Sequence, residues 1–168
     1  MWDSGAVPQD DGLDEGVGRV LIEHILHRKG SQVATITAGA TIADAVARLR
    51  ERNIGALVVT DDPDGGGAVA GILSERDIVR ALAGATGEQA TLEQPVSALM
   101  TTDVTTCGAR ATADELMRTM TERRVRHVPV VEEGRLVGIV SIGDVVKSRI
   151  DELQAETETL HEYLSSGR

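Results

Sequence analysis

The feature of the sequence that most constrains its fold is an internal repeat of one strand-to-helix pattern. The segment GILSERDIV at residues 71–79 returns as GIVSIGDVV at residues 138–146, and we call these segments the first and the second corner. Ahead of the corners, the sequence that begins at Thr41 aligns with the sequence that begins at Thr112. A unit of this size cannot bury both faces of a sheet by itself. The repeat therefore predicts two similar units packed face to face with approximate two-fold symmetry.

Each copy has the same predicted order of elements. A short strand (VATIT at 33–37, or VTTC at 104–107) precedes an amphipathic helix, a second strand, a tight turn and a third strand, and a helix then begins at the corner. The amphipathic helix of each copy opens with Thr-x-x-Asp or Thr-x-x-Glu, the pattern of a capping box. The predicted fold class is therefore α/β (α+β), built from two β-α-β-β-α repeats.

The repeat and the composition divide the chain into four parts. We predict a disordered acidic N-terminus at 1–16, a first unit with a leading helix at 17–94, a second unit at 95–150, and a helical C-terminal extension at 151–168.

The last predicted helix carries mostly apolar residues at spacings that alternate between four and three, which is a short heptad seam. The seam consists of Val146, Ile150, Leu153, Thr157, Leu160 and Leu164. It either packs along its own unit or contacts a second subunit or a regulated partner.

Charge and composition argue against several classes of function. The net charge of −10 repels phosphate backbones and disfavours nucleic-acid binding. No apolar run is long enough to cross a bilayer, and the acidic start lacks the pattern of a signal peptide. The lone cysteine, Cys107, cannot form an internal disulfide and fits a reducing interior, so we expect a cytoplasmic protein. Since the sequence offers no metal-ligand cluster and no nucleophile–base pair, we expect neither a metal site nor an enzyme.

The corners place polar groups at helix N-termini, where free N–H groups and the helix dipole favour an anion. Ser74 and Ser141 each add a hydroxyl there. Asp77 and Asp144 follow three residues later, and each carboxylate can accept two hydrogen bonds from a ribose diol. Ser-x-x-Asp is also an ordinary capping box, and the pattern alone does not separate these interpretations. Its recurrence in both copies favours ligand binding, and each serine can serve both purposes.

Both corners begin with a glycine on the incoming strand. Because Gly71 and Gly138 have no side chain, we expect a ligand to approach the backbone closely at these positions. The presence of the same glycine in both copies strengthens the ligand interpretation of the corners.

The repeat resembles the tandem cystathionine-β-synthase (CBS) domain pair, also called the Bateman module. The resemblance is carried by GILSERD and GIVSIGD together with IGALVV and RHVPVV ahead of them, and it spans roughly residues 33–150. The sequence is similar to stand-alone bacterial CBS-pair proteins. The resemblance implies a regulatory module that binds an adenosine nucleotide between the two units. AMP is the ligand most often bound in this family, and ADP, ATP or NAD(H) are related possibilities.

The resemblance also implies which residues reach the phosphate. In the family these residues lie just before the Pro-Val of the second copy, which here makes them Arg126 and His127. Arg76, inside the first corner, is a further candidate. An ordinary strand histidine is the alternative for His127. For Arg123 we favour a solvated helix end near the negative end of the dipole.

The two copies differ at these positions, so we expect two unequal sites. The first copy has no cation at the positions of Arg126 and His127. These cations should face the nucleotide held by Asp77, whereas the site at Asp144 must use Arg76 or backbone amides.

We expect the adenine base to be held by main chain and aliphatic side chains, because the whole sequence has one Trp, one Tyr and no Phe. The resemblance implies that the first strand of a copy and the residues around Ala56 and Pro129 enclose the base. The candidate residues are Thr35, Ile36, Ala56, Val58, Val104 and Pro129.

These expectations favour a nucleotide-sensing module without chemistry or a catalytic cofactor of its own. We expect a homodimer that acts on a regulated protein. Within the same class, an NAD(H) sensor is the alternative. In a different class, the alternative is a structural dimerisation module whose clefts have no physiological ligand.

Overall fold

The structure is a computed structural model that describes residues 20–62, 67–84 and 91–166. The acidic segment 1–16, which we predict to be disordered, lies outside the described residues. The described chain folds into two units, each with its own hydrophobic core. The predicted fold of two packed α/β repeats is therefore confirmed.

The first unit is built on a three-stranded sheet of order β1-β2-β3, and helix α1 (Ile22–Lys29) precedes it. In chain order its elements are β1 (Thr35–Ile36), α2 (Ile42–Arg52), β2 (Ala56–Thr60), β3 (Val69–Ser74) and α3 (Glu75–Leu82). β1 pairs with β2 in parallel, and β2 pairs with β3 in antiparallel orientation. The central strand β2 is buried along its whole length, as its run of apolar residues favours.

The second unit repeats this arrangement around an antiparallel pair of strands. Its elements are α4 (Ala113–Arg123), β4 (His127–Glu132), β5 (Arg135–Ser141) and α5 (Ile142–Ser166). β4 ends in a tight turn at Glu133 and Gly134, which both have positive φ angles, and β5 returns beside it. This hairpin delivers the chain to the second corner, as β3 does to the first.

The first strand predicted for the second unit is reduced to a single parallel bridge between Cys107 and Val130. Just beyond it, the backbone N–H of Ala109 donates a hydrogen bond to Oε1 of Glu132 at 2.6 Å. The segment around Cys107 thus pairs with β4 at one residue only, whereas β1 pairs with β2 at two residues in the first unit.

Cys107 is a neutral residue of the second core. Burial, together with the charge of Glu132, raises the pKa of its thiol to about 12.

Helices α2 to α5 each begin with a serine or threonine that shares hydrogen bonds with an acidic residue three positions later. The pairs are Thr41 with Asp44, Ser74 with Asp77, Thr112 with Glu115, and Ser141 with Asp144. These contacts satisfy backbone N–H groups that a helix start leaves without an intrahelical partner. The helix starts predicted from the sequence are therefore confirmed.

The segments that precede the two units are exchanged between the two cores. α1 precedes the first unit in the sequence, yet Ile22 and Leu26 are buried in the core of the second unit. Conversely, the segment 91–101 precedes the second unit and packs on the first, where Val96 is fully buried. Each core is therefore completed by a segment from ahead of the other unit.

Backbone hydrogen bonds fix both exchanged segments. The N–H of Ile22 donates to the carbonyl of Ala111 at 2.9 Å, and the N–H of Val96 donates to the carbonyl of Ala40 at 2.8 Å. The sequence-based boundary 17–94 groups α1 with the first unit, whereas the structure places α1 in the second core. The placement of α1 depends on its contacts with residues far away in the sequence, such as Ala111, and no local pattern predicts it.

The corner glycines make room for the exchanged segments. A Cβ atom at Gly138 would lie 2.7 Å from Cδ1 of Leu26, and one at Gly71 would lie 2.7 Å from Sδ of Met100. The carbonyl oxygen of Thr101 would be only 3.0 Å from the same Cβ at Gly71. Protein atoms therefore fill the space that we expected a ligand to approach, and that expectation is wrong.

The C-terminal helix α5 runs for 25 residues, as predicted, and continues well past the second corner. Along its heptad seam, Val146, Ile150, Leu153 and Leu164 are 41%, 49%, 47% and 73% exposed. The described part of the chain leaves these side chains partly exposed, which favours contact with a second subunit or a partner over packing along their own unit alone. Neither α5 nor any other helix in the described ranges is long and apolar enough to cross a membrane.

We expect Gly71→Ala to lower the free energy of unfolding by about 1–3 kcal/mol, because the added methyl group overpacks a filled site. Urea denaturation followed by circular dichroism measures the change. Gly39→Ala is the matched control, since a Cβ atom there meets no atom within 4 Å. Equal unfolding midpoints for the two variants would contradict the packing role of Gly71.

Candidate functional site

One cleft, which we call cleft 1, opens between the first corner and the loop that follows α4. Its volume is about 480 Å³, which suits a small-molecule ligand. Its walls include Ser74 and Asp77 at the start of α3, the segment 101–105, and residues 123–127. The corner of the first unit and the basic loop of the second unit therefore face the same space.

A second cleft, which we call cleft 2, opens between the second corner and the loop that follows α2. Its volume is about 600 Å³, and its walls include Ser141, Asp144, Lys29 and residues 52–56. In cleft 2 the second unit supplies the corner and the first unit supplies the loop, which is the reverse of cleft 1 and agrees with the approximate two-fold symmetry of the repeat. The fold thus provides two related clefts with different side chains.

In both corners, Oδ2 of the aspartate accepts the capping hydrogen bonds. The N–H and the hydroxyl of Ser74 donate to Oδ2 of Asp77 at 2.9 and 2.5 Å. The N–H and the hydroxyl of Ser141 both donate to Oδ2 of Asp144 at 2.8 Å. Within the described ranges, no hydrogen bond ends on Oδ1 of either aspartate. Capping is therefore real in both corners, and it leaves one carboxylate oxygen of each aspartate for a ligand.

Lys29, at the end of α1, occupies the second corner. Its Nζ lies 2.7 Å from Oδ2 of Asp144. Burial on its own raises the pKa of Asp144, but the hydrogen bonds from Lys29 and Ser141 outweigh it and hold that pKa below the usual value. Asp144 is therefore ionised and already paired with a cation. No local pattern identifies Lys29, because only the exchange of α1 into the second core brings it here.

The cations of cleft 2 differ from those we expected. Arg76 lines cleft 1 together with Arg126 and His127, as one of our two expectations for it had it. Lys29 and Arg52 line cleft 2. The other expectation, that the site at Asp144 uses Arg76 or backbone amides, is wrong for Arg76, because the first corner faces cleft 1. Arg52 occupies the repeat position of Arg123, and this equivalence was the available signal for it.

Cleft 1 contains the predicted phosphate-binding residues. Arg126 and His127 share its walls with Asp77, in the arrangement we expected. Arg123 is exposed, as a solvated helix end should be, but it also lines the cleft. Arg124 belongs to the same basic cluster of the sequence as Arg126, with a solvated helix end as the alternative, and it lines the cleft. Sequence reasoning missed Arg80. The arginines that line cleft 1 are Arg76, Arg80, Arg123, Arg124 and Arg126.

His127 stands between the two clefts and lines both of them. A Cβ atom on Gly55 would lie 3.3 Å from Cε1 of His127, so the imidazole packs against backbone of the first unit. Burial lowers the pKa of His127, and the nearby charge of Asp144 only partly opposes this effect. Since the unperturbed value is about 6.5, the imidazole is neutral at pH 7. A neutral imidazole presents one hydrogen-bond donor and one acceptor.

The residues predicted to hold the base divide into two groups. Val104 lines cleft 1 and Ala56 lines cleft 2. The others are buried in the sheets and line neither cleft, namely Thr35, Ile36, Val58 and Pro129. Of these four, Ile36 belongs to the core of the first unit. The apolar walls of cleft 1 come instead from Ile72, Val104 and Val125.

Comparison with known proteins gives a consistent result. A CBS domain protein of Arabidopsis thaliana, the mitochondrial CBSX3, is 31% identical over 160 residues, which cover 92% of this chain and 76% of that protein. The CBS-domain protein ATU1752 of Agrobacterium tumefaciens superposes with a TM-score of 0.71 at 49% identity, covering 77% of this chain and 99% of that chain. The CBS domain protein PAE2072 of Pyrobaculum aerophilum, crystallised in complex with AMP, has a TM-score of 0.62 at 28% identity, covering 74% and 89%.

The family model described as CBS domain matches residues 22–84 and 96–151. These two segments contain the two corners, and each segment includes the strands and helices of one unit. The chain therefore belongs to the CBS domain family and carries two CBS units in tandem.

Proposed function

We propose that this chain is a regulatory module that binds an adenosine nucleotide in cleft 1 and has no catalytic activity. One observation carries the proposal. The fold brings the Ser74 and Asp77 corner of one unit together with Arg126 and His127 of the other, across a cleft of about 480 Å³. A carboxylate for ribose and cations for phosphate, placed on opposite walls, suit a nucleotide.

Each wall of cleft 1 has a role in this proposal. Oδ1 of Asp77 accepts from a ribose hydroxyl while Oδ2 keeps its capping bonds. The Arg126 guanidinium pairs with phosphate, and His127 contributes an uncharged hydrogen bond. The adenine packs on the aliphatic side chains of Ile72 and Val104. The known complex of the relative PAE2072 with AMP supports the choice of ligand.

The regulatory output follows from differential binding. A nucleotide that contacts both units in cleft 1 favours the relative arrangement of the units that fits it best. A regulated protein that prefers one arrangement then binds more or less tightly, because a ligand shifts an equilibrium by its difference in affinity for the two states.

Cleft 1 is the principal site in this proposal, because the equivalent carboxylate of cleft 2 already has a cationic partner. Lys29 pairs with Oδ2 of Asp144 at 2.7 Å, whereas Asp77 makes no ion pair with any described residue. A ribose in cleft 2 can still reach Oδ1 of Asp144, but Lys29 offsets the charge of that carboxylate and so weakens the hydrogen bond that it accepts. The second corner therefore binds ribose less tightly than the first.

We further propose that the module is a homodimer formed through the helices that follow the corners. Val79 on α3 and Val146 on α5 occupy equivalent positions of the repeat and are 63% and 41% exposed. The two units thus present similar apolar patches on similar helices, which favours self-association about a symmetry axis. The exposed seam at Ile150 and Leu153 extends the patch along α5.

We expect Asp77→Asn to weaken AMP binding by about 10- to 100-fold, since the change removes hydrogen bonds to a charged acceptor. Isothermal titration calorimetry at pH 7 measures the affinity. Asp44→Asn is the matched control, because Asp44 forms the same kind of capping box with Thr41 but lines neither cleft. The control should lose similar stability and keep its affinity for AMP.

Three outcomes bear on the alternatives. Binding of NADH that is tighter than binding of AMP, and competitive with it, selects the NAD(H) sensor. Absence of binding for AMP, ADP, ATP, NAD and NADH overturns the proposal and favours the structural dimerisation module. Equal affinities of Asp77→Asn and Asp44→Asn for AMP would remove Asp77 from the site.

We expect Lys29→Met to strengthen nucleotide binding in cleft 2, because it leaves the charge of Asp144 unpaired while keeping an apolar stem of similar length. Calorimetric titration should show two nucleotides per chain whose affinities lie closer together than in the wild-type chain. Arg28→Met is the control, since Arg28 pairs with Asp151 at 3.1 Å and lines neither cleft. Two equal sites in the wild-type chain would contradict the weakening of cleft 2 by Lys29.

We expect Val146→Glu to convert the dimer to a monomer, because it buries a charge in an apolar interface. Light scattering coupled to size-exclusion chromatography measures the molar mass. Ala155→Glu is the control, since residue 155 lies on the side of α5 opposite Val146 and is also exposed. A wild-type protein that is monomeric at all concentrations would overturn the proposed dimer.

A further inference from the structure

Cleft 1 contains more guanidinium groups than one phosphate group can bind. Its arginines are Arg76, Arg80, Arg123, Arg124 and Arg126, and its acidic residues are Glu75, Asp77 and Asp103. The chain as a whole carries a net charge of −10. This concentration of arginine therefore opposes the composition of the rest of the surface, where acidic residues predominate.

The arginines of cleft 1 are not held by acidic partners. None of the five makes an ion pair within 4.0 Å with a residue of the described ranges. Guanidinium groups confined to one cleft repel one another, and an anion between them relieves this repulsion. The arrangement thus favours occupancy by an anionic ligand.

The arginines also lie on two walls. Arg76 and Arg80 come from α3 of the first unit, and Arg123, Arg124 and Arg126 come from the loop after α4 of the second. A terminal phosphate exposes three oxygens, and each guanidinium that binds it as a fork occupies two acceptor positions. A single phosphate therefore satisfies about two of these forks. A chain of two or more linked phosphates can reach both walls.

Arg124 lines cleft 1 in a backbone conformation that is unfavourable for an arginine. It ends α4 with a φ angle of 55°, in the left-handed region that glycine and asparagine tolerate best. At the equivalent position of the first unit, Asn53 ends α2 with a φ angle of 51°. A bulky arginine thus stands where the other copy has a residue suited to the backbone. Such a local conflict at a cleft wall points to function.

We propose that cleft 1 selects adenosine ligands that contain two or more linked phosphates, and that Arg124 is a residue that determines this specificity. The inference rests on the proposed nucleotide-binding function and names its ligand class. The shared chemistry is the linked diphosphate. Nucleoside di- and triphosphates carry it at the end of the molecule, and a dinucleotide carries it in the middle.

Calorimetric titration of the full chain with AMP, ADP, ATP and NAD, without added metal, tests the proposal. ADP or ATP should bind at least tenfold more tightly than AMP. Affinity for NAD equal to that for ADP would assign the site to a bridging diphosphate, and weak binding of NAD would assign it to a terminal one. Equal affinities for AMP, ADP, ATP and NAD would overturn the selectivity while leaving the proposed function intact. Absence of binding by all four would overturn both.

The variant Arg124→Asn separates a role in binding from a role in folding. It should reduce the preference for ADP over AMP by at least fivefold. Because asparagine suits the left-handed backbone, the melting temperature of the free protein should rise by about 2–4 °C. Arg118→Asn, an exposed arginine of α4 that lines neither cleft, is the control and should leave the preference unchanged. An unchanged ADP preference in Arg124→Asn would overturn the assignment of Arg124.

Discussion

Each CBS unit in this chain completes its core with a segment that the sequence places ahead of the other unit. Leu26 of α1 packs beside Gly138 in the second unit, and Met100 packs beside Gly71 in the first. Neither core is closed without the segment it receives, so the two units depend on each other for stability. The clefts depend on the same exchange, because each is formed by the corner of one unit and a loop of the other. The pairing of the units is thus a condition for having a site.

The fold is nearly symmetric, but the chemistry of its clefts is not. Both corners use the same serine and aspartate contacts, with similar distances. The loops opposite the corners have diverged, so cleft 1 gathers arginines while cleft 2 holds Lys29 against Asp144. Duplication of a unit supplies two copies of a corner that presents a serine and an aspartate at a helix start. Changes of a few loop residues then make the copies unequal, without altering the strands and helices that carry the corners.

Sequence reasoning identified the features that depend on local pattern and missed those that depend on contacts through space. The repeat, the helix starts at Thr41 and Thr112, and the long final helix all follow from the spacing of nearby residues. The grouping of Arg126 with the first corner follows instead from the resemblance to CBS domain pairs. The role of Lys29 could not be read, because it depends on the exchange of α1 between cores. The corner glycines suggested room for a ligand, but the same exchange fills that space.

The position of His127 links the two clefts to each other. One imidazole lines both of them and packs against Gly55, so it forms a partition that belongs to neither site alone. Its pKa is lowered by burial and responds to the charges of Asp144 and Lys29 on one side and of Glu75 and Arg126 on the other. A ligand in one cleft that reorients or protonates this imidazole changes the electrostatic potential in the other cleft. Thermodynamic reciprocity then requires the same coupling in reverse, so ligands bound in the two clefts would alter each other's affinity.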